Sequence, residues 1–267
     1  MEYIQVEIKS SVQQQKEILI ALLSEKGYEG FEEEENFLRA FIPANVFDEI
    51  ELRALLNATP YELSTISEKN WNQEWESNFQ PVVIDKFCAI RARFHQPIKN
   101  VEHEIVITPK MSFGTGHHAT TELMIRTMQE IDFAGKMVFD FGTGTGILSI
   151  LAEKLGAEKI FAIDHDEWSY QNAIENFQNN DCSKIHISHT SVIPLVKFDV
   201  ILANITRDVI VNNFQQVLEQ LNAGGCLIVS GLLQPDESEI ISLATQFKLK
   251  LSGKKELKSW ICLRFQI

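Results

Sequence analysis

A regular alternation of short apolar runs with helix-like stretches, from residue 136 to residue 246, constrains the fold of this chain most strongly. The apolar runs read KMVFDFG, KIFAIDHD, KIHISHT, FDVILANI and GGCLIVSGLL. The stretches that follow them, such as ILSILAEKLGA and RDVIVNNFQQVLEQL, place apolar residues at helical spacing. Apolar strands that alternate with helices predict a parallel sheet covered on both faces. The last residues, LKLSGKKELKSWICLRFQI, predict a final antiparallel hairpin.

A glycine-rich loop follows the first of these strands, in the segment VFDFGTGTGILSILA. Gly142, Gly144 and Gly146 lie between a strand and a helix, where an open α/β sheet holds a ligand at its strand ends. Their spacing is G-x-G-x-G, whereas the dinucleotide fingerprint is G-x-G-x-x-G. Asp140 adds a carboxylate where a pyrophosphate would lie, and like charges repel each other. The loop therefore favours a ligand with a positive charge and an amino-acid group, such as S-adenosylmethionine.

Two further strands of the predicted sheet end in polar residues. Asp164 ends FAID about 20 residues after the glycine loop, where a carboxylate can accept hydrogen bonds from both hydroxyls of a ribose. Its alternative role is to cap the next helix, although Asp166 and Glu167 are better placed to do so. Asn204 ends FDVILAN, and its side-chain carbonyl can accept a hydrogen bond from an incoming amine. The alternative for Asn204 is to cap the helix that begins near Arg207.

The segment MSFGTGHHATTELM, residues 111–124, precedes another predicted helix. Gly114 and Gly116 allow backbone conformations that other residues avoid, and Thr120 or Thr121 can cap the helix. A helix N-terminus of this kind can hold a carboxylate or a phosphate. The alternative is an ordinary capped loop, and the segment taken alone leaves both interpretations open.

The metal-binding and membrane-spanning classes are disfavoured by the sequence. The four cysteines lie far apart, at Cys88, Cys182, Cys226 and Cys262. This spacing argues against a zinc site and a disulfide framework, and the adjacent His117 and His118 make a poor chelate, so we expect no metal. No apolar stretch reaches the roughly 18 residues of a membrane-spanning helix, and the N-terminus lacks a secretory signal pattern. We therefore expect a cytoplasmic protein, with a monomer as the default state.

Negative charge is concentrated near the N-terminus. The chain carries a net charge of −13, and residues 1–70 hold 14 acidic and 6 basic side chains, a local net charge of −8. Nucleic-acid binding normally needs a basic face, so the balance favours a basic partner and no direct contact with nucleic acid. The run EGFEEEENF is interpreted either as a solvated acidic loop or as a docking surface for a cationic protein.

The N-terminal part predicts a small domain of its own, residues 1–67. EYIQVEI, NFLRAFIPA and YELSTIS are typical of strands, whereas VQQQKEILIALLSEKG and NVFDEIELRALLNA are typical of helices, the second capped by Asn45. This order predicts an α+β sandwich of the ferredoxin-like type.

A connector follows this domain, over residues 68–81. The segment EKNWNQEWESNFQP is polar except for three aromatic residues at four-residue spacing, Trp71, Trp75 and Phe79. This spacing predicts a helix with one aromatic stripe, which ends at Pro81. The remaining residues, 82–267, then form the catalytic domain.

With these motifs in view, the chain resembles the class I S-adenosylmethionine-dependent methyltransferases and, within them, the bacterial methyltransferases of ribosomal protein L-eleven. The resemblance covers nearly the whole chain. It rests on FGTGHHATT, which is the most specific element, and on DFGTGTG, ANI and NWNQEWESNFQP. It implies a Rossmann-like methyltransferase sheet, a small N-terminal substrate-recognition domain, and S-adenosylmethionine as the cofactor.

The resemblance also implies roles for particular residues. Phe113 and Thr121 would contact the methionyl end of the cofactor, Gly142 would line the methionine and the adenosine, Asp164 would bind the ribose, and Asn204 would border the reacting methyl group. Asp140, Gly144 and Gly146 belong to the same cofactor-binding loop. The implied reaction is methylation, to the trimethyl state, of lysine side chains and of the N-terminal α-amine of the basic ribosomal protein L-eleven.

Several alternatives stay open at this point. Related methyltransferases of nucleic-acid bases and of release-factor glutamines carry Asn-Pro-Pro-Tyr at the end of this strand, where the aromatic residue stacks on a planar target. This chain has NITR, which favours an aliphatic amine of ribosomal protein L-eleven, of another protein or of a small molecule. A nicotinamide-dependent oxidoreductase and a non-catalytic scaffold for ribosomal proteins are the alternatives from other functional classes.

Overall fold

The computed structural model describes residues 3–24, 26–34, 36–57, 59–66, 79–109 and 114–267. The chain divides into two compact units, Met1–Asn78 and Phe79–Ile267. Most of the predicted connector helix, with Trp71 and Trp75 of its aromatic stripe, lies outside the described residues. No helix among the described residues is long and apolar enough to cross a membrane.

The described residues of the first unit form a small antiparallel sheet with two helices. The elements are β1 (Tyr3–Lys9), α1 (Gln13–Ser24), β2 (Gly30–Glu33), β3 (Phe37–Pro43), α2 (Glu49–Leu56) and β4 (Tyr61–Ile66). The strand order is β2-β3-β1-β4, and every neighbouring pair is antiparallel. Alternate residues of the strands, such as Val6 and Ile8, are buried against Leu23 of α1 and Leu52 of α2. The two helices therefore help to build one apolar core with the sheet.

Two sequence interpretations in this unit need correction. The acidic run EGFEEEENF is not entirely a loop, because Gly30–Glu33 forms β2 and pairs with β3. The helix α2 is capped by Asp48 and not by Asn45. The Asp48 carboxylate accepts hydrogen bonds from the backbone N–H groups of Ile50 and Glu51, at 2.8 and 3.2 Å. The helix thus begins later than the sequence pattern indicates, at the acid best placed to satisfy its free N–H groups.

The second unit opens with a small sheet of its own. Its strands are β5 (Val82–Ile84), β6 (Cys88–Ala92) and β7 (His103–Ile107). β5 is antiparallel to β6, and β6 is parallel to β7, so that β7 lies at an edge of this sheet. Phe79, the last residue of the predicted aromatic stripe, is buried and packs edge-on against His117, with ring centroids 4.8 Å apart.

The central sheet of the second unit has seven strands within the described residues, in the order β10-β9-β8-β11-β12-β14-β13. Its strands are β8 (Met137–Phe141), β9 (Lys159–Asp164), β10 (Ile185–His189), β11 (Phe198–Asn204), β12 (Leu221–Leu233), β13 (Lys250–Leu257) and β14 (Trp260–Gln266). The first four pairings in this order are parallel, whereas β14 pairs antiparallel with both β12 and β13. The carboxyl ends of β8, β9 and β11 therefore meet at one edge of the sheet.

Helices cover both faces of the central sheet. They are α3 (Ala119–Met128), α4 (Ile147–Lys154), α5 (Glu167–Asn179), α6 (Arg207–Glu219) and α7 (Glu237–Gln246), with a short 3-10 helix at Gln234–Asp236. One core joins the sheet to α3, α4 and α5, and a second core joins it to α6 and α7. β11 contributes Leu202 to the first core and Ile201 to the second, as its continuous apolar sequence requires. The predicted mixed α/β fold around a central sheet is confirmed.

Asparagine side chains of α5 cover the free edge of β7. Asn180, at the end of the helix, accepts a hydrogen bond from Val106 N at 2.9 Å and donates one to Val106 O at 2.7 Å. Asn176 accepts from Thr108 N at 2.7 Å and also donates to Thr145 O at 2.8 Å. These amides take the place of a neighbouring strand, and Asn176 ties the small sheet to the glycine loop.

Candidate functional site

The glycine loop links the end of β8 to the start of α4. Gly142, Gly144 and Gly146 all have positive φ, at 74°, 56° and 83°, a region that favours glycine. Close packing adds a second requirement at Gly142, where a Cβ atom would lie 2.4 Å from Cγ2 of Ile205. A larger residue at this position would therefore displace the loop from the end of β11.

Asp164 holds the glycine loop from the end of β9. Its side chain is buried, and Oδ2 accepts a hydrogen bond from Gly144 N at 2.8 Å while Oδ1 accepts one from Asp166 N at 3.0 Å. Each carboxylate oxygen keeps a second lone pair for another donor. Asp166 is the residue that caps α5, because its side chain accepts from Ser169 N at 2.8 Å. Asp164 is thus available to a ligand.

Asp140 lies beneath the glycine loop and is almost fully buried. Its Oδ2 accepts hydrogen bonds from Thr143 Oγ1 at 2.7 Å and from Ser149 Oγ at 2.6 Å. Its Oδ1 has no partner. Burial raises the pKa of Asp140 from its ordinary value of 3.8 to about 6, and the two hydroxyl hydrogen bonds oppose this rise. A cationic group near Oδ1 would stabilise the carboxylate form.

The loop before α3 contacts the glycine loop directly. Thr145 Oγ1 donates a hydrogen bond of 2.5 Å to Gly114 O. The helix begins at Ala119 with His118 as its N-cap, because Nδ1 of His118 accepts from Thr120 N at 3.3 Å. The prediction that Thr120 or Thr121 caps this helix is therefore wrong. Phe113 lies outside the described residues, and its predicted contact with a cofactor stays a prediction.

Thr121 and Asn204 carry unpaired oxygen atoms on facing elements of the site. Oγ1 of Thr121, in the first turn of α3, and Oδ1 of Asn204, at the end of β11, are both buried without a hydrogen-bond partner. Both residues line a small pocket of about 20 Å³ beside the glycine loop. Asn204 does not cap α6, whose N-cap is Thr206. Buried oxygens without partners are rare in folded proteins, and they indicate a place for a donor group.

A larger cavity of about 730 Å³ extends along the strand ends. Gly142, Gly144, Asp164 and Asn204 all line it, so this cavity brings together half of the eight predicted site residues. None of the described residues that line this cavity or the smaller pocket is a lysine or an arginine. A cavity lined by the two acidic residues Asp164 and Asp166, with no lysine or arginine among its described lining residues, suits a cation better than a polyphosphate.

Two of the predicted loop residues line neither space. Asp140 is buried below the loop, as described above. Gly146 faces α5, where a Cβ atom would lie 2.4 Å from Cε1 of Phe177, so this glycine lets α4 pack against α5. Thr121 lines the small pocket only.

Sequence reasoning missed two aromatic groups of the site. Trp260, the first residue of β14, lines the large cavity together with His118, and their rings meet edge-on with centroids 4.7 Å apart. Trp260 follows Asn204 by more than fifty residues and belongs to the terminal hairpin. No local pattern could have placed it here, because the register of the antiparallel strands brings it to this edge.

No cluster of three or more His, Cys, Asp or Glu side chains that could hold a metal ion occurs in the part of the chain that the structure describes. The thiols do not form such a site either. Burial raises the pKa of Cys88 and of Cys262 to about 12, so that both stay protonated.

Comparison with known proteins gives consistent matches over almost the full length. The family model described as "Ribosomal protein L11 methyltransferase (PrmA)" matches residues 3–267. A ribosomal protein L11 methyltransferase from Bacteroides fragilis is 37% identical over 260 residues, which cover 93% of each chain. One from Porphyromonas gingivalis is 38% identical over 260 residues, which cover 93% of this chain and 90% of the other.

Solved structures give the same result. A ribosomal protein L11 methylase from Lactobacillus delbrueckii subsp. bulgaricus superposes with a TM-score of 0.65 at 29% identity, and the match covers 70% of this chain and 98% of that one. A tRNA methyltransferase from M. jannaschii, at 16% identity and a TM-score of 0.50, shares the fold alone. With the family model matching nearly every residue and curated relatives at this level of identity, the chain belongs to the ribosomal protein L11 methyltransferase (PrmA) family.

Proposed function

We propose that this protein transfers methyl groups from S-adenosylmethionine to lysine side-chain amines and to the N-terminal α-amine of ribosomal protein L11, up to the trimethyl state. The observation that carries the proposal is the set of unpaired buried oxygens around the glycine loop, on Thr121, Asp140 and Asn204. The family relatives are named as L11 methyltransferases, which supports the choice of substrate.

The described residues fit this cofactor. The cavity of about 730 Å³ has room for a ligand of this size together with a substrate side chain. Asp164, with a free lone pair on each oxygen, would hold the ribose hydroxyls. Thr121, Gly142 and Gly144 would hold the methionyl end beside Asp140, with Gly146 packing the loop against α5. Phe113 joins this set as a proposal drawn from the resemblance.

When bound, S-adenosylmethionine supplies a methyl group on a positively charged sulfur. The substrate amine has to lose a proton before it can accept that methyl group, because an ammonium has no lone pair. For a lysine with a pKa near 10.4, holding the neutral form at pH 7.4 costs about 4 kcal/mol. Burial beside a positive charge lowers the pKa of the amine, so that no protein base is needed and water can take the proton.

Asn204 is the residue that we assign to the orientation of the amine. Its unpaired Oδ1 can accept a hydrogen bond from the amine N–H, which aims the nitrogen lone pair. Such orientation can supply several kcal/mol of the barrier reduction. The rings of His118 and Trp260 would form an aromatic wall beside the amine. Methylated ammonium groups also bind favourably against aromatic faces.

We propose residues 1–67 as the substrate-recognition domain, 68–81 as a connector helix and 82–267 as the catalytic domain. The element order β-α-β-β-α-β and the strand order of the first unit support a ferredoxin-like classification. The net charge of −8 over residues 1–70 supports recognition of a basic protein. A monomer that acts in the cytoplasm, without direct contact with nucleic acid, is consistent with this proposal.

The test is the intact mass of purified ribosomal protein L11 after incubation with this protein and S-adenosylmethionine, followed by peptide mapping. Mass gained in methylene steps on lysines and on the N-terminus supports the reaction, the substrate and the target atoms together. Cofactor binding by calorimetry without any mass gain would contradict the substrate and redirect the search to amines of other proteins or of small molecules.

A further inference from the structure

Gly231, in β12, makes an unusually close approach to the neighbouring strand end. Its φ is +85°, and a Cβ atom at this position would lie 2.1 Å from the carbonyl oxygen of Ile205 and 2.8 Å from its carbonyl carbon. Both atoms belong to the backbone, so no side-chain rotation can relieve the contact. Gly231 also lines the large cavity together with Ile205 and Asn204.

The backbone of β12 is irregular at this point. Pairing with β14 shifts register between Val229 and Leu232, which places Ser230 and Gly231 in the irregularity. The hydroxyl of Ser230, fully buried, donates a hydrogen bond of 2.9 Å to Ile261 O. On the other side, Ser230 is the parallel partner of Asn204 in the register of β11 and β12. Such irregularities commonly redirect a strand next to an active site.

Ile205 is therefore enclosed by two glycines, Gly231 in β12 and Gly142 in the glycine loop after β8. Gly231 leaves room for its carbonyl group, and Gly142 leaves room for its side chain, whose Cγ2 would lie 2.4 Å from a Cβ atom at Gly142. Asn204 immediately precedes Ile205, so the position of the Ile205 peptide group determines the direction of the Asn204 side chain. Asn204 itself has no hydrogen bond that fixes its Oδ1.

We infer that Gly231 is a positioning residue for methyl transfer, because it leaves space for the Ile205 carbonyl and so fixes the backbone that aims Asn204 at the substrate amine. This inference rests on the proposed function. Gly231 contributes to the orientation of the acceptor nitrogen and not to the affinity for S-adenosylmethionine.

The test is the methylation kinetics of ribosomal protein L11 with the full-length Gly231→Ala variant. We expect kcat to fall by about 10- to 100-fold, because a displacement of about 1 Å near the reacting atoms can cost that much. The dissociation constant of S-adenosylmethionine, measured by calorimetry, should change little. The matched control is Gly224→Ala, since Gly224 lies in the same strand with φ of +75° and has no atom within 4 Å of a Cβ position.

A double-mutant cycle separates positioning from general damage. If Gly231 acts through Asn204, then Gly231→Ala should cause no further loss of kcat in an Asn204→Ala background. Wild-type kcat in a folded Gly231→Ala variant overturns the inference, and so does a full additional loss in the Asn204→Ala background. Failure of the wild-type protein to methylate L11, measured first, overturns the proposed function and this inference with it.

A second variant covers the case in which Gly231→Ala does not fold. Ser230→Ala removes the hydroxyl that anchors the irregularity to Ile261 and leaves the space at Gly231 open. We expect Ser230→Ala to lower kcat by less than Gly231→Ala does, with unchanged affinity for S-adenosylmethionine. Wild-type kcat in this variant would then contradict the inference.

Discussion

The two ends of the site around the glycine loop differ in how far the protein satisfies its own polar groups. At one end, both oxygens of Asp164 already accept backbone hydrogen bonds. At the other end, Thr121, Asp140 and Asn204 each keep a buried oxygen without a partner. A buried unpaired polar group costs about 1–3 kcal/mol. The first end is thus built by the fold alone, whereas under the proposed function the second would gain its missing hydrogen bonds from the cofactor and the substrate.

The largest effect is expected at Asn204, if its free oxygen serves the reaction. Asn204→Ala should lower kcat by about 100-fold with the cofactor saturating, because the amine loses its orientation. Methylation kinetics together with calorimetric cofactor binding provide the measurement. Asn212→Ala, on the exposed side of α6, is the control and should keep wild-type activity. Full turnover by Asn204→Ala would show that the unpaired oxygen has no part in orientation.

Asp140 provides a pH-dependent test of the end of the site that keeps unpaired oxygens. Its folded-state pKa of about 6 lies above its ordinary value of 3.8. The folded state therefore binds the proton more tightly than the unfolded state, and this group lowers the free energy of unfolding as the pH rises from about 4 to about 6. Asp140→Asn should accordingly stabilise the ligand-free protein at pH 7.5, by about 3 kcal/mol when each pKa unit is worth about 1.4.

Thermal unfolding at a series of pH values measures this effect. The stabilisation of Asp140→Asn over the wild type should shrink as the pH falls from about 6 to about 4, because the folded wild-type carboxyl becomes protonated and no longer buries a charge. A difference that stays constant with pH would contradict the assigned cause. The same variant should bind S-adenosylmethionine more weakly, since the cationic amino group loses its carboxylate.

At the satisfied end, Asp164→Asn should weaken binding of S-adenosylmethionine by about tenfold, because charge-assisted hydrogen bonds are about twice as strong as neutral ones. One amide oxygen remains to accept from Gly144 N, so the loop should stay in place. Calorimetry gives the affinity, and Asp181→Asn, at an exposed position after α5, is the matched control. An unchanged affinity would mean that Asp164 serves only to hold the glycine loop.

The smallest effect is expected at Thr121. Thr121→Val keeps the shape of the side chain and should weaken cofactor binding by about fivefold, the value of one neutral hydrogen bond. Its melting temperature should not fall, since Oγ1 has no partner in the protein. Thr127→Val is the matched control on the same helix, because Thr127 Oγ1 donates to Leu123 O at 2.8 Å. Thr127→Val should lose stability and keep its affinity for the cofactor. If Thr121→Val lost stability and kept its affinity for the cofactor, Thr121 would be excluded from the cofactor site.

Local patterns in the sequence predict the satisfied end well. The glycine spacing and the acid at the next strand end follow from the chain order, because parallel strands bring their carboxyl ends together. The helix caps were harder to predict. The N-cap of α2 is Asp48 and not Asn45, and the N-cap of α3 is His118 and not Thr120 or Thr121. The first turn of a helix depends on which acceptor reaches a free N–H group. The sequence pattern did not predict β2, because this strand contains glutamates, which an edge strand tolerates on its exposed side.

Long-range contacts could not be predicted. Trp260 reaches the cavity through the register of a hairpin, and Gly231 meets Ile205 through an irregular pairing. Both depend on backbone geometry that no spacing of residue types encodes. The side-chain amides of Asn176 and Asn180 that take the place of a strand beside β7 could not be predicted either, because their partners lie 68 and 74 residues earlier in the chain.

The asparagine amides that pair with the edge of β7 are synthesised well after β7 itself. β7 leaves the ribosome before Asn180, which follows its partner Val106 by 74 residues. At about 5–20 residues per second, the interval is roughly 4–15 s. For that time the backbone N–H and C=O groups on this edge are open to pairing with another nascent chain. The interval ends when α5 docks, so the rate of translation over residues 109–180 determines how long the growing chain is exposed to aggregation.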